Sequence, residues 1–216
     1  MKVFFAAAAP IDLALGWSDG MWEEKRERIA RMRRDTDKAL ALTAHRLLCY
    51  TLKTVCGFMP QPADFMLEPK GKPYIKSVPD VHFSLSHSGG MAMCALHDSP
   101  VGADIEQRRS VGAGVAERIM TAEELCLYTE APDRQLFFFQ IWTLKEAFVK
   151  YRGTGLGMSM SSFYAYPTGS GVATDTDCEF WTGQPAPGYQ AAVCANSGMH
   201  PQLLTVGTRQ LSLMKV

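Results

Sequence analysis

The stretch VGADIE, Val101 to Glu106, and the later stretch WTLKEAFVK, Trp142 to Lys150, decide how this chain is read. VGADIE has the character of a β-strand, so Asp104 and Glu106, two residues apart, point to one face. In WTLKEAFVK a helix is predicted, and Glu146 and Lys150, four apart, share one of its faces. Ile105 in the first stretch, and Trp142, Phe148 and Val149 in the second, imply that both elements are packed rather than solvated. If that helix lies against that strand, three carboxylates and one ammonium converge. Such a cluster is costly unless a divalent cation or a polyphosphate balances it. The expectation is therefore magnesium, bound by oxygens of Asp104, Glu106 and Glu146, beside a phosphorylated substrate. The spacing puts Lys150, not Lys145, on the face of Glu146, which makes Lys150 the expected phosphate-facing cation.

Working outward, FSLSHS, Phe83 to Ser88, is a short alternating strand that ends in Gly89 and Gly90. Its Ser86, His87 and Ser88, with the glycine N–H groups, suit a phosphate clamp. A hydrolase reading of Ser and His fails, because neighbours in a strand face opposite ways and no G-x-S-x-G elbow is present. Gly71, Lys72 and Pro73 form a stiff loop with a cationic head. Lys25 and Arg28 lie in an Arg-rich stretch from Lys25 to Arg34 and would line a polyanion site with that loop.

The chain has 216 residues, enough for one large domain or two small ones, and 47% of them are hydrophobic. Its 22 basic and 22 acidic residues cancel, so no global basic field advertises nucleic acid. The six cysteines, Cys49, Cys56, Cys94, Cys126, Cys178 and Cys194, contain no CxxC pair and no zinc spacing. They read as reduced core residues of a cytoplasmic protein. MKVFFAAAAP resembles a secretory signal, but its apolar run is short and Pro10 and Asp12 follow at once, so an opening strand is expected. No stretch approaches the ~18 apolar residues of a membrane span.

The patterns predict a strand over Val3 to Ala8, a helix from Met21 to about Arg34, and a second helix capped by Thr36 or Asp37 and stopped at Gly57. His82 to Ser88, Met91 to Leu96 and Val101 to Glu106 are expected to form a β-meander. Helices follow near Val115 and Thr121, and the one carrying Glu146 ends near Gly153. Four short strands close the chain, over Ser162 to Tyr166, Cys178 to Trp181, Gln190 to Cys194 and Leu203 to Val206. The predicted class is α+β, in two halves that join near Ser99 to Val101: residues 1–100 and 101–216. Apolar residues at Met120, Leu125, Leu127 and Tyr128 suggest either a partner-docking surface or second-half core.

Taken together, FSLSHS, VGADIE and WTLKEAFVK, with GKP and GYQAAVCA (Gly188 to Ala195), resemble the Sfp-type 4'-phosphopantetheinyl transferases in the same order. The resemblance implies two similar α+β halves related by a pseudo-two-fold, with coenzyme A held in the cleft between them. It implies a monomer that moves phosphopantetheine from coenzyme A to a serine of an apo acyl, peptidyl or aryl carrier domain, leaving adenosine 3',5'-bisphosphate. Asp104, Glu106 and Glu146 match the family's magnesium acids, with manganese as the alternative ion. Glu146 and Lys150 match its catalytic pair. Ser86 and His87 match coenzyme A phosphate contacts, Gly71, Lys72 and Pro73 the adenine-side loop, and Lys25 and Arg28 the 3'-phosphate contacts. Glu124 aligns with a further acidic site residue. Chain length resembles the broad-specificity class that serves secondary-metabolite, nonribosomal peptide and polyketide synthetases. Three positions depart from the pattern: Ser84 for an asparagine, Ala103 for a β-branched residue, and Thr154 for a basic one. The rival readings are a non-catalytic coenzyme A-binding protein on the same scaffold and a magnesium-dependent phosphohydrolase.

Overall fold

The structure is a computed structural model that describes residues 1–18 and 20–214, with Leu156 described by its backbone alone. In chain order the first half contains β1 (Lys2–Ala7), α1 (Ile11–Ala14), α2 (Glu23–Ala30), α3 (Asp35–Cys56), β2 (Phe65–Leu67), β3 (Pro73–Ile75), β4 (His82–Ser88) and β5 (Met91–His97). The second contains β6 (Val101–Gln107), α4 (Val115–Ile119), α5 (Ala122–Glu130), α6 (Arg134–Arg152), β7 (Ala165–Thr168), β8 (Gly171–Thr174), β9 (Glu179–Gly183), β10 (Tyr189–Ala195), β11 (Gln202–Thr205) and α7 (Thr208–Leu213).

Two sheets repeat one plan. The first has strand order β11-β1-β5-β4 and the second β6-β10-β9. In each, a strand leads to a long helix, and the later hairpin returns so that its second strand pairs antiparallel with the opening strand. β1, α3, β4 and β5 thus correspond to β6, α6, β9 and β10. The last segment does not follow a division at residue 100. β11 pairs parallel with β1, and Leu211 of α7 is buried in the core around α3.

Period-two alternation explains how the sheets meet. Val3, Phe5, Met93 and Ala95 of one sheet pack against Val101, Ala103, Ile105, Ala191 and Val193 of the other. The opposite faces are covered by the long helices. α3 is buried over most of its length, from Ala39 to Leu52, and packs on β1, β4 and β5. α6 crosses β6 and β10. Because Val101, Ala103 and Ile105 face the inter-sheet core, Gly102, Asp104 and Glu106 must face the other way, toward α6.

The expected meander does not form. β4 and β5 pair as a hairpin, but the second neighbour of β5 is β1, and β6 leaves for the other sheet. A period-two pattern defines a strand's faces without naming its neighbours, and here the apolar inner face of β6 finds its ladder with β10. The helix expected over Met21 to Arg34 is shorter, because Met21 and Trp22 are buried as an anchor ahead of it and the run Arg31 to Arg34 lies outside it. α3 starts at Asp35, one residue before Thr36 and two before Asp37, the expected caps, and no side chain caps it. Asp35 and Asp37 sit in its first turn, where they favour the positive end of the helix dipole. Gly57 ends it in the left-handed conformation at φ 67°, as the sequence suggested.

Candidate active site

The two defining stretches touch backbone to backbone. A Cβ on Gly102 would stand 1.9 Å from the Ala147 carbonyl oxygen and 2.3 Å from the Tyr151 nitrogen. Only glycine lets α6 settle this closely on β6. That approach brings the acids of the strand level with Glu146 and Lys150 of the helix.

Lys150 Nζ lies 2.6 Å from Asp104 Oδ1 and donates to Ser86 Oγ at 2.9 Å, and the Ser86 hydroxyl donates to the same Asp104 oxygen at 2.7 Å. Asp104 is 3% exposed, and its Oδ2 is buried with no hydrogen-bond partner among the described residues. Glu106 accepts from the Ser88 hydroxyl. Burial raises the pKa of Glu106, with Asp104 adding to the effect against the opposing Ser88 hydrogen bond. Burial, then Asp104, and more weakly Glu106 raise that of Glu146, with Lys150 opposing. The carboxylates therefore repel one another across a partly desolvated space.

That space opens into a cavity of about 920 Å³ between the halves. The structure brings eleven of the sequence-predicted site residues to its wall, but not Glu124. Asp104, Glu106, Glu146 and Lys150 stand on the second-half side. Lys25, Arg28, the loop of Gly71, Lys72 and Pro73, and Ser86 and His87 come from the first half. Lys25 is buried over the Trp22 ring at 4.8 Å. Burial and then the Arg28 charge lower its pKa to about 8. His87 has its pKa lowered by loss of water around the ring, then by Lys25, Lys150 and Arg28. The first half thus adds the cations Lys25 and Arg28 to the wall, and the second half adds three carboxylates with Lys150 among them.

Several expected roles change. The Gly90 N–H is taken by Tyr189 Oη at 2.8 Å, so this glycine donor serves the contact between halves rather than a phosphate clamp. Lys72 donates to the carbonyls of Val101 at 3.2 Å and Tyr151 at 3.3 Å, so its ammonium bridges the halves. Glu124 is not a cavity acid. It is fully buried, 2.7 Å from Lys145 Nζ, and accepts from the Thr121 and Ala165 nitrogens. Lys145, also fully buried, donates to the Met160 and Phe163 carbonyls. Met120 is buried against Phe138 and Ile141, with Leu125 and Tyr128 packed on the same cluster, which favours core over docking surface.

From the sequence Ser84 is only a departure from a motif and Ser88 only part of a phosphate clamp, and the structure gives both another role. Ser84, Ser86 and Ser88 share one face of β4, and each bonds to β6. Ser84 Oγ accepts from the Ala103 nitrogen at 2.9 Å, and Ser88 Oγ accepts from the Gln107 nitrogen at 3.2 Å. β4 and β6 are facing sheet edges joined by hydroxyls instead of a backbone ladder. The period-two serines of FSLSHS were the available signal.

Among the described residues, no three His, Cys, Asp or Glu side chains close into a ready-made metal cluster. The donors still suit a hard divalent cation. They are carboxylate oxygens, one is buried without a partner among the described residues, and three neighbouring acids face one ammonium, that of Lys150.

The family model of the 4'-phosphopantetheinyl transferase superfamily matches residues 100–194. The 4'-phosphopantetheinyl transferase psf-1 of Bacillus pumilus is 33% identical over 193 residues, 84% of this chain and 83% of that protein. The 4'-phosphopantetheinyl transferase Sfp of Bacillus subtilis strain 168 is 30% identical over 191 residues, 85% of each. A crystal structure of Thermotoga maritima holo-[acyl-carrier-protein] synthase is a partial likeness, with TM-score 0.39 and 25% identity over 44% of this chain and 61% of that one. The chain is thus an enzyme of the transferase class. It belongs to the 4'-phosphopantetheinyl transferase superfamily. Among the described residues no helix is long and apolar enough to cross a membrane.

Proposed function

We propose that the chain transfers the 4'-phosphopantetheine group of coenzyme A to a serine of an apo acyl, peptidyl or aryl carrier domain, with adenosine 3',5'-bisphosphate as the other product. The observation that carries this reading is one cavity lined both by Lys25 and Arg28 and by the Asp104, Glu106, Glu146 and Lys150 cluster. The acids and Lys150 come from motifs shared with a family whose relatives are named for this transfer.

Lys25 and Arg28 would hold the 3'-phosphate, and the loop of Gly71 to Pro73 the adenine side. Ser86 and His87 would contact the coenzyme A phosphates. Asp104, Glu106 and Glu146 would hold magnesium, or manganese in its place. Bound there, the ion would neutralise pyrophosphate oxygens and stabilise charge on the leaving phosphate. The raised pKa of Glu146 makes it the better proton acceptor, so it takes the proton of the attacking carrier serine, directly or through a water. Lys150, already drawn to the site by Asp104, faces charge building on the leaving phosphate. Residues 1–100 would supply the nucleotide side and 101–216 the acids and the helix of the reaction, within a monomer. A broad-specificity role in the cytoplasm, toward synthetases of secondary metabolites, follows from the family likeness alone.

Mass spectrometry of purified apo carrier domains, incubated with the protein, coenzyme A and magnesium, tests the proposal. The expected result is a gain of one phosphopantetheinyl group, abolished by EDTA. Glu146→Gln should slow it by about 10²–10⁴. Full activity of Glu146→Gln would sink the role given to Glu146. Release of free phosphopantetheine without any carrier would favour a phosphohydrolase.

A further inference from the structure

One oxygen of Glu106, Oε2, is shared by two partners. On the buried side is Ser88, itself 7% exposed, whose hydroxyl donates to Glu106 Oε2. On the open side is Arg109, with a side chain 69% exposed and a guanidinium nitrogen 3.8 Å from the same oxygen. Arg109 lines a separate small pocket of about 160 Å³ beside the main cavity, and Glu106 borders both. An exposed ion pair at that distance is weak, but it would win if nothing held the carboxylate inward.

Ser88 is well placed to hold it. Its oxygen accepts from the Gln107 nitrogen at 3.2 Å, so its hydrogen is left to be aimed at Glu106. Both bonds cross from β4 to β6, so the rotamer of Glu106 is tied to the contact between the halves. Burial and the nearby Asp104 work against the charged carboxylate, and a hydroxyl donor offsets part of that cost.

We propose that Ser88 is a positioning residue, whose hydroxyl holds the Glu106 carboxylate at the cavity wall and keeps it from closing further on Arg109. This rests on the reading of Glu106 as a metal-holding acid. Without the hydroxyl, Glu106 swings toward Arg109 and one of the three carboxylates leaves the site.

The test uses Mn2+ as probe, its binding to the whole protein in the presence of coenzyme A followed by electron paramagnetic resonance, with unfolding by circular dichroism as a check. Ser88→Ala should weaken Mn2+ by roughly 10- to 100-fold, as losses of a partner to a metal-binding acid do. Ser88→Thr keeps the hydroxyl and should restore affinity. Arg109→Gln alone should change little, yet in the Ser88→Ala background it should recover part of the loss, because the competing charge is gone. A merely structural serine would not produce that recovery. Glu106→Gln separates the two levels of the argument. If it leaves Mn2+ affinity intact, the metal role of Glu106 fails. If it weakens Mn2+ while Ser88→Ala does not, the positioning role fails. Should Ser88→Ala not fold, Ser88→Cys keeps the size with a poor donor and must show the same loss for the proposal to stand.

Discussion

Gly102 and Ala147 meet backbone on backbone: the space a Cβ of Gly102 would fill is already occupied by the Ala147 carbonyl oxygen, 1.9 Å away. This contact seats the helix of Glu146 and Lys150 on the strand of Asp104 and Glu106. Gly102→Ala should therefore lift α6 from β6 and cost at least the ~1–3 kcal/mol of an overpacked core. Urea denaturation would measure the stability loss. Coenzyme A turnover under folding conditions should fall further than stability alone predicts.

Lys150 neutralises the buried Asp104 and faces the cavity. Lys150→Met should lower kcat by roughly 10²–10³, the usual effect of removing one group that stabilises developing charge. Coenzyme A affinity should change much less, since Lys25 and Arg28 still line the cavity. Single-turnover kinetics beside equilibrium binding would separate the two effects.

Lys25 carries a pH dependence. Its folded pKa is lowered to about 8 from 10.5, chiefly by burial. Below pH ~8 it is charged in both states, and burying that charge costs stability. Between about 8 and 10.5 the unfolded chain holds more protons than the folded one, so stability rises with pH through that window. Binding moves the opposite way, because the neutral amine no longer attracts phosphate. Coenzyme A affinity should thus fall as pH passes ~8, and Lys25→Met should flatten that fall while raising thermal stability at pH 7. Calorimetric titrations from pH 7 to 9 would show it, and a flat wild-type profile would rule Lys25 out as the responsible group.

The Glu124–Lys145 pair is fully buried. Lys145→Met leaves Glu124 charged and unpaired and should destabilise by about 3–5 kcal/mol. Glu124→Leu combined with Lys145→Met should recover only part of this. The pair also satisfies the Thr121 and Ala165 nitrogens and the Met160 and Phe163 carbonyls, which a hydrophobic pair leaves bare. Chemical denaturation of Glu124→Leu, Lys145→Met and the double variant would give the coupling.

The elements that sequence reading placed best are those with strong local pattern. α3, α6, the β4–β5 hairpin strands and β6 lie within a few residues of expectation. β2, β3 and β8, three or four residues long, were missed because so short a run shows no periodicity. Eleven candidate site residues, Glu124 not among them, reach one cavity, but their partners were not legible. Lys72 looked like a free cation and is engaged by two carbonyls. Glu124 looked like a site acid and is neutralised inside the second half. Such pairings join residues tens of positions apart, where spacing carries no information.

What the sequence by itself determined is parity and composition. Asp104 and Glu106 had to share a face, Glu146 and Lys150 had to share another, and Ile105 had to turn inward, because these follow from the local geometry of strand and helix. Only the tertiary structure decided that β6 leaves its neighbours in the chain to pair with β10, that three serines of β4 join it to the first half, and that Gly102 lets α6 press the two acidic faces together. Those outcomes depend on which surfaces exclude water against which others, and that is settled by packing across the whole chain.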